Sequence, residues 1–274
     1  MVFDVFVTML NILHSYTPNP IAFNIGSFAI HWYGLFLLIG ILIGYWLVGK
    51  LSHREDLSKD IVTSLYVNVL IGGLISARIY HVLTDWGFYG SNLDQVLAVW
   101  NGGLAIHGAM IGGVLTAFYF VKKHNINFWK IADLFAMAAI LGQAIGRWGN
   151  YFNQELFGKP ISTAWSIPID AANRPLGFEQ FQYFHPTFLY ESILNLIIFG
   201  ILFWVFKKKK RPVGLIFWMY IGLYSLARII VESFRINEAA MIFGMRLPLL
   251  VSVVLLIVAG GMIIRKVKYF YSSS

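Results

Sequence analysis

Residues 249–267 read LLVSVVLLIVAGGMIIRKV, an apolar run whose only charged residues stand near its end. A helix needs roughly 20 mostly apolar residues to cross the hydrocarbon core of a bilayer, and this run has that character. Six further stretches are similar, and they lie at about 28–48, 61–83, 102–121, 131–149, 187–206 and 212–232. The sequence therefore predicts an all-α integral membrane protein with seven transmembrane helices.

The composition of the whole chain agrees with this prediction. Hydrophobic residues make up 58% of the 274 residues and charged residues 12%, against about 25% charged in a typical soluble domain. The net charge of +8 does not indicate a nucleic-acid partner, because the basic residues cluster in short connections between apolar runs. The absence of cysteine excludes disulfides, a thiolate nucleophile from this chain and a cysteine metal site.

The distribution of Lys and Arg predicts the orientation, because cytoplasmic connections carry an excess of these residues. Basic residues are frequent in the first, third and fifth connections and in the tail. The second connection, 84–101, has none, the fourth has Lys159 and Arg174, and the sixth has Arg235 and Arg246. We therefore expect the amino terminus outside and the carboxyl terminus inside.

We expect one membrane domain over residues 1–274. Residues 1–27 form an N-terminal arm, whose short helix has an apolar side that includes Phe3 and Leu10. This helix is predicted to lie at the membrane interface, and a mobile terminus is the alternative. The long connection 150–186 mixes Gly, Pro, Asn and aromatic residues and is predicted to be an extracytoplasmic cap.

Many polar side chains of the predicted spans fall at one depth, near the outer helix ends. Ionisable groups are costly inside a bilayer and are functional candidates by default. Side chains that merely reach for the surface would occupy both ends of the spans, so one shared layer indicates a site. Its residues are Tyr33, Arg78, His107, Arg147, Asn150, Glu191, Arg228 and Glu232.

Spacing along the helices brings some of these residues together. Tyr224, Arg228 and Glu232 follow one another at intervals of four residues and share one helix face. Arg147 and Asn150 are three residues apart and are also neighbours on a helix.

The charges of this layer indicate an anionic ligand. Three arginines, Arg78, Arg147 and Arg228, stand against the two glutamates, so the protein cannot neutralise every buried cation. A planar guanidinium is well suited to a phosphodiester. A phospholipid headgroup at the outer interface is the anion expected at that depth.

Simpler roles are open for several of these residues. Arg228 and Glu232 could form a structural ion pair, Arg78 could reach toward the outer headgroups, and His107 could be an ordinary packed residue. The GxxxG pairs, which indicate close helix packing rather than phosphate loops, are Gly40/Gly44, Gly108/Gly112 and Gly142/Gly146.

Residues 146–158 read GRWGNYFNQELFG and carry a specific pattern. This stretch resembles the signature G-R-x-G-N-[FY]-x-N-x-E-x-x-G of the prolipoprotein diacylglyceryl transferases, which are bacterial inner-membrane enzymes. Five other motifs resemble that family in order along the chain, and they are HWYG at 31–34, SAR at 76–78, WNGGLAIHG at 100–108, HPTFLYE at 185–191 and YSLARIIVE at 224–232.

The resemblance implies a reaction. The diacylglyceryl group of phosphatidylglycerol passes to the lipobox cysteine of a preprolipoprotein signal peptide, a thioether forms, and glycerol 1-phosphate leaves. It also implies seven spans in the bacterial cytoplasmic membrane, surrounded by membrane lipids, with no nucleic acid, no metal and no organic cofactor. The candidate catalytic residues are His107, Arg147 and Arg228, and the candidate substrate-binding residues are Tyr33, Arg78, Arg147, Asn150, Glu155, Gly158, Glu191, Tyr224 and Glu232.

The polar layer suits that chemistry, because the substrate supplies the thiol that this chain lacks. His107 is the first candidate for the general base that forms the reactive thiolate, and arginine-assisted deprotonation is the alternative. Arg147 and Arg228 would hold the phosphate and stabilise the departing charge. The supporting roles are hydrogen bonds to glycerol or phosphate oxygens from Asn150 and Tyr33, and orientation of the arginines by Glu191 and Glu232.

Two other classes of function remain open. A transporter of lipids or small anions would also place arginines in the membrane, but it should carry polar groups through both leaflets and often has an inverted repeat. A non-catalytic lipid-binding scaffold would not need His107 within reach of the arginines.

Overall fold

The computed structural model describes residues 2–208, 210–237, 239–242 and 244–272, and most of them are helical. Met1 of the predicted arm, Lys209 of the fifth connection and the side chain of Phe3 lie outside this description. The α-helices are α1 Val2–Ser15, α2 Trp32–Leu51, α3 Lys59–Thr84, α4 Trp86–Tyr89, α5 Ile106–Lys123, α6 Phe128–Phe152, α7 Thr187–Phe206, α8 Leu215–Glu232 and α9 Leu247–Ser272. The strands form antiparallel pairs, β1 Ile21–Ile25 with β2 Phe28–His31, β3 Ile167–Pro168 with β4 Tyr183–Phe184, and β5 Met241–Ile242 with β6 Met245–Arg246.

Six of the described helices are long and apolar enough to cross a membrane, namely α2, α3, α6, α7, α8 and α9. The chain is therefore a multi-pass membrane protein with a mostly helical fold. The predicted span at about 102–121 forms α5, which is 18 residues long but is not one of the six. His107 at one end and Lys122 with Lys123 at the other lower its hydropathy.

The predicted span at about 28–48 begins too early. Residues 28–31 form β2, which pairs with β1 across a turn at Gly26, where φ is +59°. A positive φ of this kind is what glycine provides in a hairpin turn. The backbone N–H of Trp32 then donates to the carbonyl of Pro20 at 3.0 Å, and α2 starts at that residue.

The chain forms two compact units. The larger unit consists of Met1–Gly44 and Phe135–Ser274, and the smaller unit consists of Tyr45–Leu134. The expectation of one membrane domain stays a prediction.

A seam of small residues joins α3 and α5 in the smaller unit. A side chain added at Gly108 would lie 2.5 Å from Cβ of Tyr80, and one added at Gly112 would lie 2.7 Å from the carbonyl oxygen of Gly72. Real Cβ atoms do not approach other atoms this closely, so the helix backbones are in direct contact. The packing role predicted for the Gly108/Gly112 pair is confirmed.

In the larger unit, α6, α7 and α8 contact one another through polar side chains. The hydroxyl of Ser192 on α7 donates to the carbonyl of Ala144 on α6 at 2.9 Å. The amide of Gln143 on α6 donates to the hydroxyl of Tyr220 on α8 at 3.0 Å. These bonds fix how the three helices sit at the level where the site begins.

The predicted cap segment shares a small apolar core with residues of α1 and α7 in the larger unit. The end of α1 packs on this core, because Leu13 is buried in it and His14 Nδ1 lies 3.0 Å from the carbonyl oxygen of Ser166. Leu10, on the apolar side predicted for the arm, also packs against it. The core residues are Leu13, Tyr151, Phe157, Ile167, Ile169, Phe184, Phe188 and Leu189.

Candidate active site

Glu191, in the second turn of α7, is the carboxylate around which the site is built. Nε of Arg147 lies 2.8 Å from its Oε2, and Nη1 of Arg228 lies 3.7 Å from its Oε1. Arg235 also donates a hydrogen bond to Oε1. Glu191 is 4% exposed, so three guanidinium groups surround a buried anion.

Glu232, at the end of α8, is the second carboxylate. Nη2 of Arg228, one turn earlier on the same helix, lies 2.9 Å from its Oε2. Nε of Arg246 lies 2.9 Å from its Oε1. The shared face predicted from the four-residue spacing of Arg228 and Glu232 is therefore confirmed as a direct ion pair.

The charge count differs from the one that the sequence predicted. Arg78 belongs to the smaller unit, and two arginines from the sixth connection, Arg235 and Arg246, join the cluster instead. Sequence reasoning placed those two only in a connection. Neither residue has a local signal in the sequence, because Arg235 lies beyond the end of α8 and pairs with Glu191 on α7, and Arg246 pairs with Glu232 from β6. Within the described residues four arginines face two glutamates, and an anionic ligand would reduce this excess of positive charge.

Two of the four arginines bond mainly to other parts of the protein, although Nε of Arg235 is buried without a hydrogen-bond partner in the described residues. Arg246 donates to the carbonyls of Arg235 at 2.8 Å and Asn237 at 2.5 Å, in addition to its ion pair with Glu232. Arg235 is 5% exposed and bonds to Glu191. Burial lowers the pKa of Arg235, and the charge of Glu191 opposes this shift. Both side chains therefore brace the cluster.

Arg147 and Arg228 also keep open donors. Nε of Arg147 forms an ion pair with Glu191, and its Nη1 donates to Asn150 Oδ1 at 3.1 Å. No bond from its Nη2 is present within the described residues. Nη1 of Arg228 is buried and has no hydrogen-bond acceptor in the described part of the chain. Burying a donor without an acceptor costs about 1–3 kcal/mol of stability, and the cost is higher for a charged group. An anionic ligand that accepts from these donors would remove this cost.

Asn150 connects Arg147 to the turn that follows α6. Its Oδ1 accepts from Arg147, and its Nδ2 donates to Glu155 Oε1 at 2.7 Å. Around Glu155 the backbone is left-handed, with φ of +51° at Gln154 and +56° at Leu156. Non-glycine residues hold such angles only when their surroundings enforce them, and strain of this kind collects at functional sites.

The side chain of Gln154 holds this turn in place. Its Nε2 donates to the carbonyl of Pro18 at 2.8 Å and to Asp170 Oδ2 at 2.6 Å, and its Oε1 accepts from the backbone of Asp170 at 2.7 Å. Beside the turn is a cleft of about 280 Å³. Its lining residues are Asn153, Gln154, Glu155, Leu156, Phe157, Asn173, Pro175, Ile236 and Asn237.

Gly158 has a packing role. A Cβ atom there would lie 2.7 Å from Cβ of His185 and 2.9 Å from the carbonyl oxygen of Phe234. Its N–H donates to the carbonyl of His185 at 2.9 Å, and it forms an isolated bridge with Arg235. The position therefore accepts only glycine without movement of the backbone that carries Arg235.

Two tyrosines of the predicted site lie in the larger unit. Tyr33 is the second residue of α2, and its ring packs directly against Gly149. A Cβ atom added at Gly149 would lie 2.6 Å from Cδ2 of Tyr33. Tyr224, one turn before Arg228, stacks on Tyr220 with ring centroids 6.0 Å apart. Neither tyrosine hydroxyl bonds to a described residue of the arginine cluster.

Arg78 has a different environment from the one predicted. It is 7% exposed and donates to the carbonyls of Gln95 at 2.5 Å and Val96 at 2.8 Å. It also donates to Gly102 at 2.7 Å and Gly103 at 2.9 Å. These four bonds occupy four of the five N–H groups of a guanidinium, which leaves little capacity for a phosphate. The side chain is therefore held by the connection between α3 and α5.

His107 is the second residue of α5, not one turn into a span as the sequence suggested. It is exposed, and its ring centroid lies 6.2 Å from that of Tyr80. No group of three or more His, Cys, Asp or Glu residues arranged to hold a metal ion occurs in the described ranges.

Comparison with known proteins gives one consistent result. The sequence profile of the family described as Prolipoprotein diacylglyceryl transferase (LGT) matches residues 20–265. Proteins named phosphatidylglycerol–prolipoprotein diacylglyceryl transferase are similar to this chain. The one from Trichormus variabilis is 42% identical over 241 residues, which is 86% of this chain and 85% of the relative. The one from Bacillus licheniformis is 38% identical over 249 residues, which is 89% and 91% of the two chains.

Proposed function

The chain belongs to the prolipoprotein diacylglyceryl transferase family, and on that premise we propose that it transfers the diacylglyceryl group of phosphatidylglycerol to the lipobox cysteine of a preprolipoprotein. The observation that carries this proposal is the pair Arg147 and Arg228, which keep open donors inside a cluster of four arginines and two glutamates. A phosphodiester in a mostly apolar bundle is the ligand that such a pair suits.

The proposed reaction is a displacement at the carbon of the diacylglyceryl group that is bonded, through oxygen, to the phosphate. The cysteine thiolate of the substrate peptide attacks this carbon, and a C–S bond forms while the C–O bond to the phosphate breaks. The bonding electrons leave with the oxygen of glycerol 1-phosphate, and the thiol proton passes to a base. Arg147 and Arg228 stabilise the negative charge that collects on the leaving group.

The neighbours of these arginines have supporting roles in this proposal. Glu191 and Glu232 fix the planes of the two guanidinium groups. Asn150, bonded to both Arg147 and Glu155, would also present its amide to phosphate or glycerol oxygens. The remaining proposed substrate contacts are Tyr33, Glu155 and Tyr224, and Gly158 gives the close packing that the turn requires.

We assign the base to His107, whose exposed ring can accept a proton. Deprotonation assisted by Arg147 and Arg228 stays the alternative. Arg78 is removed from the phosphate ligands, because its donors bond to backbone carbonyls, and we propose that it orders the connection before α5 instead.

The location follows from the same premise. We propose seven spans, with α5 as the third, in the bacterial cytoplasmic membrane. The amino terminus and the segment 150–186 would be outside and the carboxyl terminus inside, as the distribution of Lys and Arg indicates. The arm 1–27 would rest at the outer interface, and residues 1–274 would act as one membrane domain.

The test is product analysis with the purified protein in detergent. Phosphatidylglycerol labelled in its acyl chains and a lipobox peptide should give a labelled peptide with the mass of one added diacylglyceryl group, together with glycerol phosphate. A peptide with serine in place of cysteine is the matched control and should remain unlabelled. Binding of the lipid without either product would replace the transferase with a scaffold. If the protein, reconstituted in vesicles, moved the lipid across the vesicle membrane without labelling the peptide, the transferase would be replaced by a transporter.

A further inference from the structure

A second polar layer lies one helical turn away from the arginine cluster, toward the middle of the helices. Gln143 precedes Arg147 by four residues on α6, and Asn195 follows Glu191 by four residues on α7. Four residues of α-helix rise by about 6 Å. The bonds of Ser192 to Ala144 and of Gln143 to Tyr220 show that α6, α7 and α8 touch at this level.

Asn195 is the unusual member of this layer. It is 1% exposed, and its Nδ2 has no hydrogen-bond partner among the described residues. It stands near the middle of α7, where almost every neighbour in sequence is apolar. Leaving a buried amide donor unpaired costs free energy that a leucine at this position would not. Such groups are rare in folded proteins, and each requires an explanation.

The chemistry of the missing partner can be stated. An N–H group needs an acceptor, and the acceptor must come from something that reaches the apolar middle of the bundle beside a phosphate site. A glycerolipid meets both conditions, because its ester carbonyls are only a few bonds from its phosphate, on the side of the acyl chains. A phosphate held by Arg147 and Arg228 would therefore bring an ester carbonyl to the level of Asn195.

We propose that Nδ2 of Asn195 donates a hydrogen bond to an ester carbonyl of the bound diacylglyceryl lipid. This proposal rests on the proposed function, since it extends the same lipid site by one group. Gln143 also has an amide atom, Oε1, without a partner in the described residues. That atom needs a donor, and an ester has none, so the ester contact belongs to Asn195 alone.

The contact predicts a preference for the ester lipid that disappears when the ester carbonyl oxygens are removed. Phosphatidylglycerol with ether-linked chains of the same length keeps the phosphate and the apolar tails but lacks the carbonyls. A net hydrogen bond corresponds to a factor of about three to ten. The wild-type protein should therefore transfer from the ester lipid with a kcat/KM about three to ten times higher than from the ether lipid.

Asn195→Leu tests whether Asn195 causes this preference. The variant should lose activity with the ester lipid and use both lipids equally, and it should unfold no earlier than the wild type because it removes an unpaired buried donor. Ser192→Ala is the matched control, since it deletes a buried polar group of the same helix turn that already bonds to Ala144. It should retain the ester preference.

Each result decides the matter. Equal use of both lipids by the wild type, or an ester preference that survives in Asn195→Leu and in Asn195→Ala, would overturn the contact while leaving the transferase intact. Failure of the wild type to transfer from either lipid would instead overturn the proposed function itself. A purely structural asparagine would lower both rates by one common factor and leave the ratio of the two lipids unchanged, which also counts against the contact.

Discussion

Nε of Arg147 on α6 lies 2.8 Å from Oε2 of Glu191 on α7, and the same carboxylate also serves Arg228 and Arg235. One anion therefore holds three cations that come from α6, from α8 and from the connection after α8. Removal of one partner of a buried ion pair leaves the other charge uncompensated, which is far more costly than the loss of an exposed pair.

Glu191→Gln should lower the free energy of unfolding by about 3–5 kcal/mol, because the cluster then holds four cations and one anion. Unfolding in detergent, followed by circular dichroism, measures this. Adding Arg235→Met should recover part of the loss, since Arg235 is the most buried of these cations. The control is Asp56→Asn, because Asp56 pairs with Lys130 at 3.4 Å but has a 91% exposed side chain, and its variant should unfold like the wild type. Similar losses in both variants would argue against a central role for Glu191.

Arg147→Lys and Arg228→Lys should each reduce the rate of transfer by about ten- to a hundredfold, because a charge-assisted bond contributes about 1.5–3 kcal/mol and a point charge cannot replace a planar fork. Initial rates with phosphatidylglycerol and a lipobox peptide measure this. Arg174→Lys is the control, since Arg174 bonds to the carbonyls of Ile169 and Glu179 in the 150–186 segment. Full activity of a stably folded Arg147→Lys protein would contradict the proposed role of Arg147 in phosphate binding.

His107→Asn should lower the rate by about 10²–10⁴-fold near neutral pH if His107 is the general base. The deficit should shrink as the pH rises toward the thiol pKa of about 8.5, because the nucleophile then ionises without help. The measurement is a pH–rate profile of the wild type and the variant with the same peptide. A deficit that stays constant with pH would favour deprotonation assisted by the arginines.

Gly158→Ala should destabilise the protein and reduce activity, because the new methyl group would meet Cβ of His185 and the backbone of Phe234, and the backbone cannot give way without moving Arg235. Gly200→Ala is the matched control on α7, where an added Cβ meets nothing within 4 Å. Because alanine is a better helix former than glycine, Gly200→Ala should be as stable as the wild type or slightly more so. Thermal unfolding of both variants gives the comparison, and an unchanged Gly158→Ala would contradict the close packing.

Single cysteines test the orientation, and the natural absence of cysteine makes the background clean. Exposed positions Ser91 and Ala164 should react with an impermeant thiol reagent in spheroplasts, and exposed position His53 should react only after the membrane is opened. Labelling of position 53 in sealed spheroplasts would reverse the proposed orientation.

Much of the bundle could be predicted from the sequence, because helices with apolar residues throughout leave a strong local pattern. The span predicted at 187–206 coincides with α7. The pair Arg228 and Glu232 was predictable for the same reason, since residues four apart on a helix must be neighbours. Features that depend only on neighbouring residues are visible in a sequence.

The rest depends on contacts between distant segments. Arg246 reaches Glu232 from a connection, and the donors of Arg78 bond to carbonyls about 20 residues further along the chain, and neither contact leaves a local pattern. The hairpin of β1 and β2 was also missed, because its apolar residues resemble the start of a span. The unpaired amide of Asn195 appears only when the packing of three helices is known.

The seam between α3 and α5 has a consequence for how the protein is made. The helices touch backbone to backbone, and the connection between them supplies every carbonyl that Arg78 uses. If α3 left the translocon without the connection that follows it, the guanidinium of Arg78 would enter the hydrocarbon without hydrogen-bond acceptors. Here the stretch from Lys59 to Lys123 contains both the charge and the groups that solvate it. With α5 as the proposed third span, this helical hairpin would enter the bilayer as one piece during synthesis, before the ribosome has completed the helices that carry Glu191 and Glu232.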